Sequence, residues 1–219
     1  MNIIDWVDLK AEIVDAPTQE ELVHKIETAY RICYNSLDKM DNEPIENSIN
    51  FINSNISRGH GSPLEHVNIT IKGTIDRGIL AEITRHRIGS YSVNSTRYIK
   101  YNTRVPCILP YELRTEENYN VRALFKEAAE QACSAYQALL KVGVKAENAR
   151  GLLPQCLAVN LMETHNFREW LHIFDLRYYI KTGKPHPDMR VWMHKIYREF
   201  MKLYPDIINN PVPEFRDLV

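Results

Sequence analysis

A run of basic and hydroxyl side chains at residues 85–98 is the part of the sequence best suited to chemistry. It reads R-H-R-I-G-S-Y-S-V-N-S-T-R-Y. No acidic residue occurs between Thr84 and Tyr111, while five basic residues do, namely Arg85, Arg87, Arg97, Lys100 and Arg104. The chain as a whole carries a net charge of −1, so this positive charge is local. Because guanidinium groups, hydroxyls and turn amides bind phosphate, the run predicts an anion-binding site.

The spacing inside this run resembles the signature of the flavin-dependent thymidylate synthases (the ThyX family). Arg-His-Arg is followed after seven residues by Ser95 and then by Thr-Arg-Tyr. G-H-G-S-P-L-E-H at residues 59–66 resembles the family's flavin-binding segment. A-R-G-L-L-P at residues 149–154 resembles its second short motif, and N-F-R-E-W-L-H-I-F-D-L-R at residues 166–177 resembles its third. The resemblance implies a single domain over residues 1–219.

A fold and a reaction follow from the resemblance. The expected fold is α/β (α+β), with a central, mostly antiparallel sheet flanked by long helices. It is expected to assemble as a homotetramer whose active sites are shared between subunits. The expected reaction is reductive methylation of dUMP to dTMP. Methylenetetrahydrofolate would donate the carbon, and FAD reduced by NADPH would be the cofactor.

The resemblance also implies the site residues. The dUMP positions are Glu82, Arg85, Ser95, Thr96, Arg97, Arg150 and Arg177. The FAD positions are Ser62, Arg85, His86, Arg87, Val93, Asn166, Phe167, Arg168 and His172. Carbon C5 of uracil is a poor nucleophile, and none of the four cysteines lies in a motif, so activation by a thiol is not expected. An arginine against the uracil carbonyl and N3 would stabilise the ring as an enolate-like anion, and Arg177 lies at that catalytic position.

Two positions depart from the family pattern. Val93 stands where glutamate or glutamine is common, and Glu82 stands where many members have glutamine. The first departure leaves open a pyrimidine-nucleotide C5 modifier with another outcome, such as dUMP hydroxymethylation or UMP methylation. The basic run also leaves open a non-enzymatic RNA- or nucleotide-binding module. That module would be colourless and would bind long nucleic acid with a steep salt dependence.

Composition excludes several classes of protein. With 44% hydrophobic and 25% charged residues the chain has the content of an ordinary soluble globular protein. Its net charge argues against a general nucleic-acid binder. A membrane span is not predicted, because the sequence contains no run of about 18 apolar residues. The N-terminus carries acids where an export signal has lysines, and the four cysteines are scattered, so we expect a reduced cytoplasmic setting. His60 and His66 lie six residues apart across a proline turn, and no metal is expected there.

Periodicity, proline and capping residues predict the helices that hold these motifs. One predicted helix starts near Ile79, continues into Arg85 and is broken by Gly89. Another runs over residues 120–142, with an apolar stripe from Val121 onwards that we expect to face the core. Further helices are predicted after Thr18, whose capping box includes Glu21, after Pro44 and from Pro187.

Two strands are predicted from hydrophobic patterns. Residues 67–72 alternate between apolar and polar types, and Gly73 is expected to end that strand. Residues 156–164 are apolar and predict a buried strand. Asn166 then caps a helix, with Glu169 completing a capping-box-like pair.

Arg177 falls on the same stripe of this helix as Trp170 and Ile173. An arginine in an apolar setting requires a partner. Arg177 could pair with a carboxylate such as Asp175 or Glu163, reach out to water, or meet an anionic ligand. The resemblance to the third motif favours the ligand.

Overall fold

The computed structural model of the chain describes residues 3–40 and 44–207. Its strands are β1 (Ile4–Trp6), β2 (Lys10–Asp15), β3 (Asn68–Asp76), β4 (Gly89–Val93), β5 (Val105–Cys107) and β6 (Ala158–Asn166). Its α-helices are α1 (Gln19–Cys33), α2 (Ile45–Ser57), α3 (Arg77–Ile83), α4 (Tyr119–Lys141), α5 (Ala146–Ala149), α6 (Phe167–Arg177) and α7 (Pro187–Leu203). Short 3-10 turns, such as Ser62–His66 and Arg150–Leu152, connect several of these elements.

Four antiparallel strands form the main sheet, in the order β2-β3-β6-β4. Its centre is the pairing of β3 with β6, which runs from Asn68 opposite Asn166 to Asp76 opposite Ala158. Strand β4 lies along the other edge of β6, while β1 and β5 pair separately in a short parallel ladder. The expected α+β fold with a mostly antiparallel central sheet and long flanking helices is confirmed.

Two buried indoles tie α6 and α7 to the sheet. Trp170 of α6 donates from Nε1 to the carbonyl of Ile69 at 3.1 Å, and Trp192 of α7 donates to the carbonyl of Lys10 at 3.0 Å. Both side chains are fully buried. Burial of a side chain of this size contributes about 2 to 3 kcal/mol, and each indole N–H has a partner. The tryptophans therefore fix the position of α6, the helix that carries Arg177, against the sheet.

The capping box predicted for α1 is confirmed. Thr18 Oγ1 accepts from the amide of Glu21 at 3.2 Å, and the Glu21 carboxylate accepts from the amide of Thr18 at 2.8 Å. The buried side of this helix includes Leu22 and Ile26, as its periodicity predicts. The other helices whose ends were predicted from proline or glycine are also present, namely α2 after Pro44, α4 before Gly143 and α7 from Pro187.

The predicted end of β3 at Gly73 is wrong, because the strand continues to Asp76. A Cβ at Gly73 would lie 2.9 Å from the carbonyl of Lys10 and 3.2 Å from Nε1 of Trp192. The glycine therefore permits a close approach of β2 and α7 in the middle of the strand. A glycine in this role has the same appearance in the sequence as one that ends a strand.

The helix before the basic run is shorter than predicted. It ends at Ile83, with Thr84 as its C-cap, and does not continue into Arg85. Gly89 does not break a helix but is the first residue of β4, so part of the run expected to be a loop is a strand. Pairing with β6, which is distant in sequence, fixes this strand. The Arg-His-Arg tripeptide is consequently a connection between α3 and β4.

The apolar stripe of α4 does not face the core, contrary to the prediction. Val121 is 55% exposed and Leu124 is 68% exposed. The helix instead buries the neighbouring side, which includes Ala129, Cys133 and Tyr136. An apolar face is thus left uncovered by the chain itself. Within residues 3–40 and 44–207, neither α4 nor any other helix has the apolar length needed to cross a membrane.

We expect Gly89→Ala to destabilise the protein by roughly 1 to 3 kcal/mol. A Cβ at this position would lie 2.1 Å from Nδ1 of His165 and 2.9 Å from the carbonyl of Thr164. His165 cannot move aside easily because it is buried and bonded to the Ile88 carbonyl. Urea unfolding measures the effect. Gly151→Ala is the matched control, since nothing lies within 4 Å of its added methyl group, and equal stability of the two variants would contradict the prediction.

Candidate active site

Two capped helices bring the central residues of the site together. Asp76 caps α3 at the end of β3, and Asn166 caps α6 at the end of β6, accepting from the amide of Glu169 at 2.9 Å. Because β3 and β6 are antiparallel, the two helices start at opposite ends of the sheet. Their C-terminal turns meet where Arg177 of α6 reaches Glu82 of α3.

Arg177 is held by two neighbours, and its side chain is 20% exposed. Nη1 donates to Glu82 Oε1 at 2.6 Å, and Nη2 donates to the Glu82 carbonyl at 3.4 Å. Nε donates to His86 Nε2 at 3.1 Å. A guanidinium has five N–H donors, so these contacts, counted over the described residues, leave two donors for a ligand.

Neither carboxylate expected to pair with Arg177 does so. Asp175 pairs with a lysine of the following loop at 2.7 Å. Glu163 is fully buried and pairs with His165 at 3.1 Å, while Nδ1 of His165 donates to the carbonyl of Ile88 at 3.0 Å. Burial raises the pKa of Glu163. Burial alone would lower the pKa of His165, but the hydrogen bond and charge of Glu163, the Ile88 carbonyl and the charge of Glu169 together raise that pKa. This buried pair holds the backbone that enters β4.

His86 is buried between Arg177 and Glu169. Its Nδ1 lies 3.1 Å from Glu169 Oε1, and its own carbonyl accepts from the Tyr91 hydroxyl at 2.8 Å. Burial, followed by the positive charge of Arg177, lowers the pKa of His86 to about 4, so the ring is neutral at pH 7. The capping-box-like pair predicted between Asn166 and Glu169 is half formed, because the Glu169 carboxylate turns to His86.

A pocket of about 330 Å³ adjoins this cluster. Arg168 lies on it and donates from Nη1 to Glu65 at 2.6 Å. A Cβ at Gly61 would lie 2.8 Å from Nε of Arg168, so the absence of a side chain there makes room for the guanidinium. The pocket is lined by Glu65, Ile88, Asn166, Arg168, Glu169 and His172, three of which are predicted FAD positions.

The remaining predicted FAD positions differ in their exposure. Ser62 and Arg87 are exposed, and Val93 packs partly against the core. Phe167 is fully buried, with its ring 5.9 Å from that of Tyr204. A ligand contact at Phe167 would therefore have to be made by its backbone.

The predicted phosphate-binding residues lie in a second group. Arg97 is 54% exposed, and its Nη2 lies 3.8 Å from Glu147, three residues before Arg150. Arg150 is exposed at the start of its turn. Thr96, which directly precedes Arg97 in the chain, is buried. The carbonyl of Ser95 accepts from two following amides and so forms a tight turn. Arg97 and the turn at Arg150 are therefore neighbours.

Within the described residues, the contacts of Arg97 and those of Arg177 are separate. Arg97 lies beside the segment that ends in Arg150, as expected. Over residues 3–40 and 44–207, however, no hydrogen bond or ion pair joins either arginine to Arg177 or its partners. Arg85, another predicted dUMP position, is exposed between the two groups in sequence.

A cleft of about 460 Å³ next to Glu82 was not predicted from the sequence. It carries the carboxylates of Asp76, Glu82 and Asp188. Asp188 is buried, and its Oδ2 has no hydrogen-bond partner among the described residues. Burial raises the pKa of both Asp76 and Asp188. Carboxylates disfavour a second anion nearby, so this cleft is poorly suited to a phosphate.

The antiparallel sheet, its capped helices and the arginines at its rim define an α+β protein suited to binding small anionic molecules. The model of a family described as thymidylate synthase complementing protein matches residues 13–206. The chain belongs to this family, that of the flavin-dependent thymidylate synthases, and the resemblance read from the motifs is confirmed.

Relatives agree with this assignment, and a solved structure shares the fold. A flavin-dependent thymidylate synthase from Geobacter sulfurreducens is 36% identical over 155 residues, which cover 68% of this chain and 66% of the relative. The chain thus matches just under two thirds of that relative's length. One from Clostridium tetani is 29% identical over 186 residues, covering 76% and 73%. A UMP/dUMP methylase, PolB, from Streptomyces cacaoi, in a crystal structure bound with 5-Br dUMP, shares the fold with a TM-score of 0.81, 22% identity and coverage of 92% and 94%.

Proposed function

We propose that the protein methylates dUMP to dTMP, with methylenetetrahydrofolate as carbon donor and FAD, reduced by NADPH, as bound cofactor. As a member of its family it is a flavin-dependent methyltransferase. The observation that carries the proposal is Arg177, whose guanidinium is held by Glu82 and His86 with two N–H donors left for a ligand.

Arg177 activates the pyrimidine ring electrostatically. Its free donors bind the uracil carbonyl and N3, and they stabilise the negative charge that makes C5 nucleophilic. Glu82 and His86 orient the guanidinium before the nucleotide arrives. Because its contacts already fix the guanidinium, a donor of this kind is effective with little reorganisation.

The thiols of the chain are poorly placed to activate C6 instead. Cys107, Cys133 and Cys156 are buried, and Cys33 is at the end of α1. Hydrogen bonding to Cys133 and Cys156, together with burial, raises the pKa of the Cys107 thiol. The described contacts of Arg177 include no cysteine.

Arg97 and Arg150 bind the phosphate of dUMP. Both guanidinium groups are exposed, and the Ser95 turn places hydroxyls and amides beside Arg97. Glu147, 3.8 Å from Arg97, acts as a weak partner that a phosphate dianion displaces. Arg85, in the same basic run as Arg97, adds a further positive charge.

The residues around the 330 Å³ pocket fit FAD. Arg168 is half-exposed against Gly61, and Asn166 and His172 supply hydrogen-bonding groups on the pocket, with the His86 ring beside His172. FAD, when bound, supplies the redox chemistry with electrons from NADPH. The residues of this chain bind and orient it and exclude water.

We also propose a homotetramer of this single-domain chain, residues 1–219, with active sites shared between subunits. Two features support it: the uncovered apolar face of α4, and the separate sets of contacts that Arg97 and Arg177 make within one chain. The scattered free cysteines support a cytoplasmic location. Light scattering after size exclusion tests the assembly, and an active monomer would refute it.

The decisive test of the reaction is product identification. The purified protein is expected to be yellow and to convert dUMP to dTMP in the presence of methylenetetrahydrofolate and NADPH, as read by mass spectrometry. UMP is the second candidate substrate, since Val93 replaces a polar residue and the similar fold belongs to a UMP/dUMP methylase. Hydroxymethylated dUMP, or 5-methyl-UMP as the main product, would replace the proposal. A colourless protein that binds long RNA would overturn it.

A further inference from the structure

A chain of hydrogen bonds links the first turn of α6 to its last residue. Glu169 Oε1 lies 3.1 Å from Nδ1 of His86, and Nε2 of His86 lies 3.1 Å from Nε of Arg177. Arg177 then donates to Glu82 at 2.6 Å. Glu169 and Arg177 are eight residues apart, or about 12 Å along the helix axis. His86 therefore bridges two points of one helix from outside it.

The proton positions in this chain are determined by the chemistry of arginine. A guanidinium has no acceptor, so Nε of Arg177 donates to Nε2 of His86. Nε2 must then carry a lone pair, and the proton of the neutral ring must reside on Nδ1. Nδ1–H in turn needs an acceptor, which is Glu169 Oε1. Glu169 thereby selects the ring tautomer that can orient Arg177.

Burial makes this selection strict. His86 is 5% exposed and Glu169 is 7% exposed, so water does not readily replace either bond. The backbone of Glu169 is itself fixed, because its amide donates to the capping oxygen of Asn166. The carboxylate also gives up the reciprocal cap and turns inward to His86, which is unlike Glu21 at the equivalent position of α1.

We propose that Glu169 is a positioning residue for the reaction, acting through the tautomer of His86 to hold the Arg177 guanidinium in its working orientation. The inference rests on the proposed function, in which Arg177 meets the pyrimidine ring. Without the Glu169 acceptor, the proton of His86 moves to Nε2. Two donors then face each other, and Arg177 turns away.

A divalent metal at the same place is the competing interpretation. One ligand atom each from His86, Glu169 and His172 lie within 4.8 Å of one another. A metal on Nδ1 of His86 would require that nitrogen to be unprotonated. The proton would then have to leave the ring or move to Nε2, where Arg177 already donates. The hydrogen-bonded chain therefore favours a proton over a cation between His86 and Glu169.

Two substitutions separate the acceptor from the shape of the side chain. Glu169→Gln keeps an oxygen that accepts from Nδ1–H, whereas Glu169→Leu keeps the approximate size and removes the acceptor. We expect Glu169→Leu to lower kcat about 10- to 100-fold, in the range for a misplaced catalytic group, with FAD retained. Glu169→Gln is expected to restore most of the activity. Glu21→Leu removes the equivalent first-turn glutamate of α1 and is expected to leave kcat unchanged.

Coupling to Arg177 distinguishes positioning from a general structural effect. In an Arg177→Lys background, which lacks the planar fork, Glu169→Leu is expected to cause little further loss of kcat. Equal losses from Glu169→Gln and Glu169→Leu would overturn the proposal. Fully additive effects of Glu169→Leu and Arg177→Lys would overturn it as well.

The tautomer itself is measured independently of activity. Nitrogen-15 correlation spectra of the histidine rings, with His86 assigned by its loss in His86→Gln, should show Nδ1–H in the unmodified protein and a shift towards Nε2–H in Glu169→Leu. An Nε2–H ring in the unmodified protein, or an Nδ1–H signal that appears only after metal chelation with EDTA, would refute the inference. If dTMP is not formed while the Nδ1–H result holds, the proposed function fails and the bond chain stands.

Discussion

Replacing Arg177 by alanine is expected to lower kcat for dUMP methylation by a factor of about 10² to 10³ while FAD stays bound. The guanidinium is the group placed to stabilise charge on the uracil ring, and Glu82 and His86 hold it there. The pocket assigned to FAD is lined by other residues, including Arg168 and His172, and survives the change. Steady-state kinetics measure the first effect, and flavin absorbance per subunit measures the second.

Further variants separate chemistry from folding in this experiment. Arg177→Lys keeps the charge but loses the planar fork, so an intermediate kcat is expected. Arg198→Ala removes an exposed arginine of α7 and is expected to leave kcat unchanged. Because Arg177→Ala strips Glu82 and His86 of a partner, urea unfolding is measured on the same samples. An Arg177→Ala enzyme with normal kcat would remove the electrostatic role from the mechanism.

The parts of the fold that could be predicted are those with local signals. The capping box of Thr18 and Glu21 lies within four residues, and the alternation at the start of β3 has a period of two. Asn166 was identified as a cap because a helical pattern follows it directly. Interactions of this kind are set by neighbours in sequence.

The features that were mispredicted depend on distant partners. Gly73 lies in mid-strand because β2 and Trp192 approach it, and Gly89 starts a strand because β6 pairs with it. The stripe that starts at Val121 is apolar in the manner of a core face, yet this chain packs the neighbouring side of α4. Periodicity identifies an apolar face but not which molecule covers it.

The site was predicted as a set of residues without the bonds between them. The motifs supplied both Glu82 and Arg177, but their ion pair joins positions 95 residues apart, and the sequence instead suggested Asp175 or Glu163. Glu169 was read as a cap, since its role depends on His86, 83 residues away. The sequence did contain a hint, because Glu169 is a first-turn glutamate inside a motif. Checking whether such glutamates have buried partners elsewhere in the fold would identify it.

Mixing two inactive variants is expected to restore activity if the active sites are shared between subunits. Arg177→Ala removes one group of arginine contacts and Arg97→Ala the other, and no described contact joins the groups within a chain. Loss of a charged hydrogen bond costs about 1.5 to 3 kcal/mol, so Arg97→Ala alone should weaken dUMP binding roughly 10- to 100-fold. Assays at low dUMP therefore find both parent variants at a tenth of normal activity or less.

In a mixed oligomer, each composite site takes Arg177 from one subunit and Arg97 from another. When equal amounts of the two variants assemble at random, about a quarter of the sites contain both native Arg177 and native Arg97. About a quarter of normal activity is therefore expected. Co-expression with two affinity tags isolates the mixed species. Arg97→Ala mixed with Arg150→Ala is the matched control, because both changes fall in one group and no site in that mixture recovers the whole group. Mixed oligomers of Arg177→Ala and Arg97→Ala that stay inactive would place both groups in sites formed by a single chain.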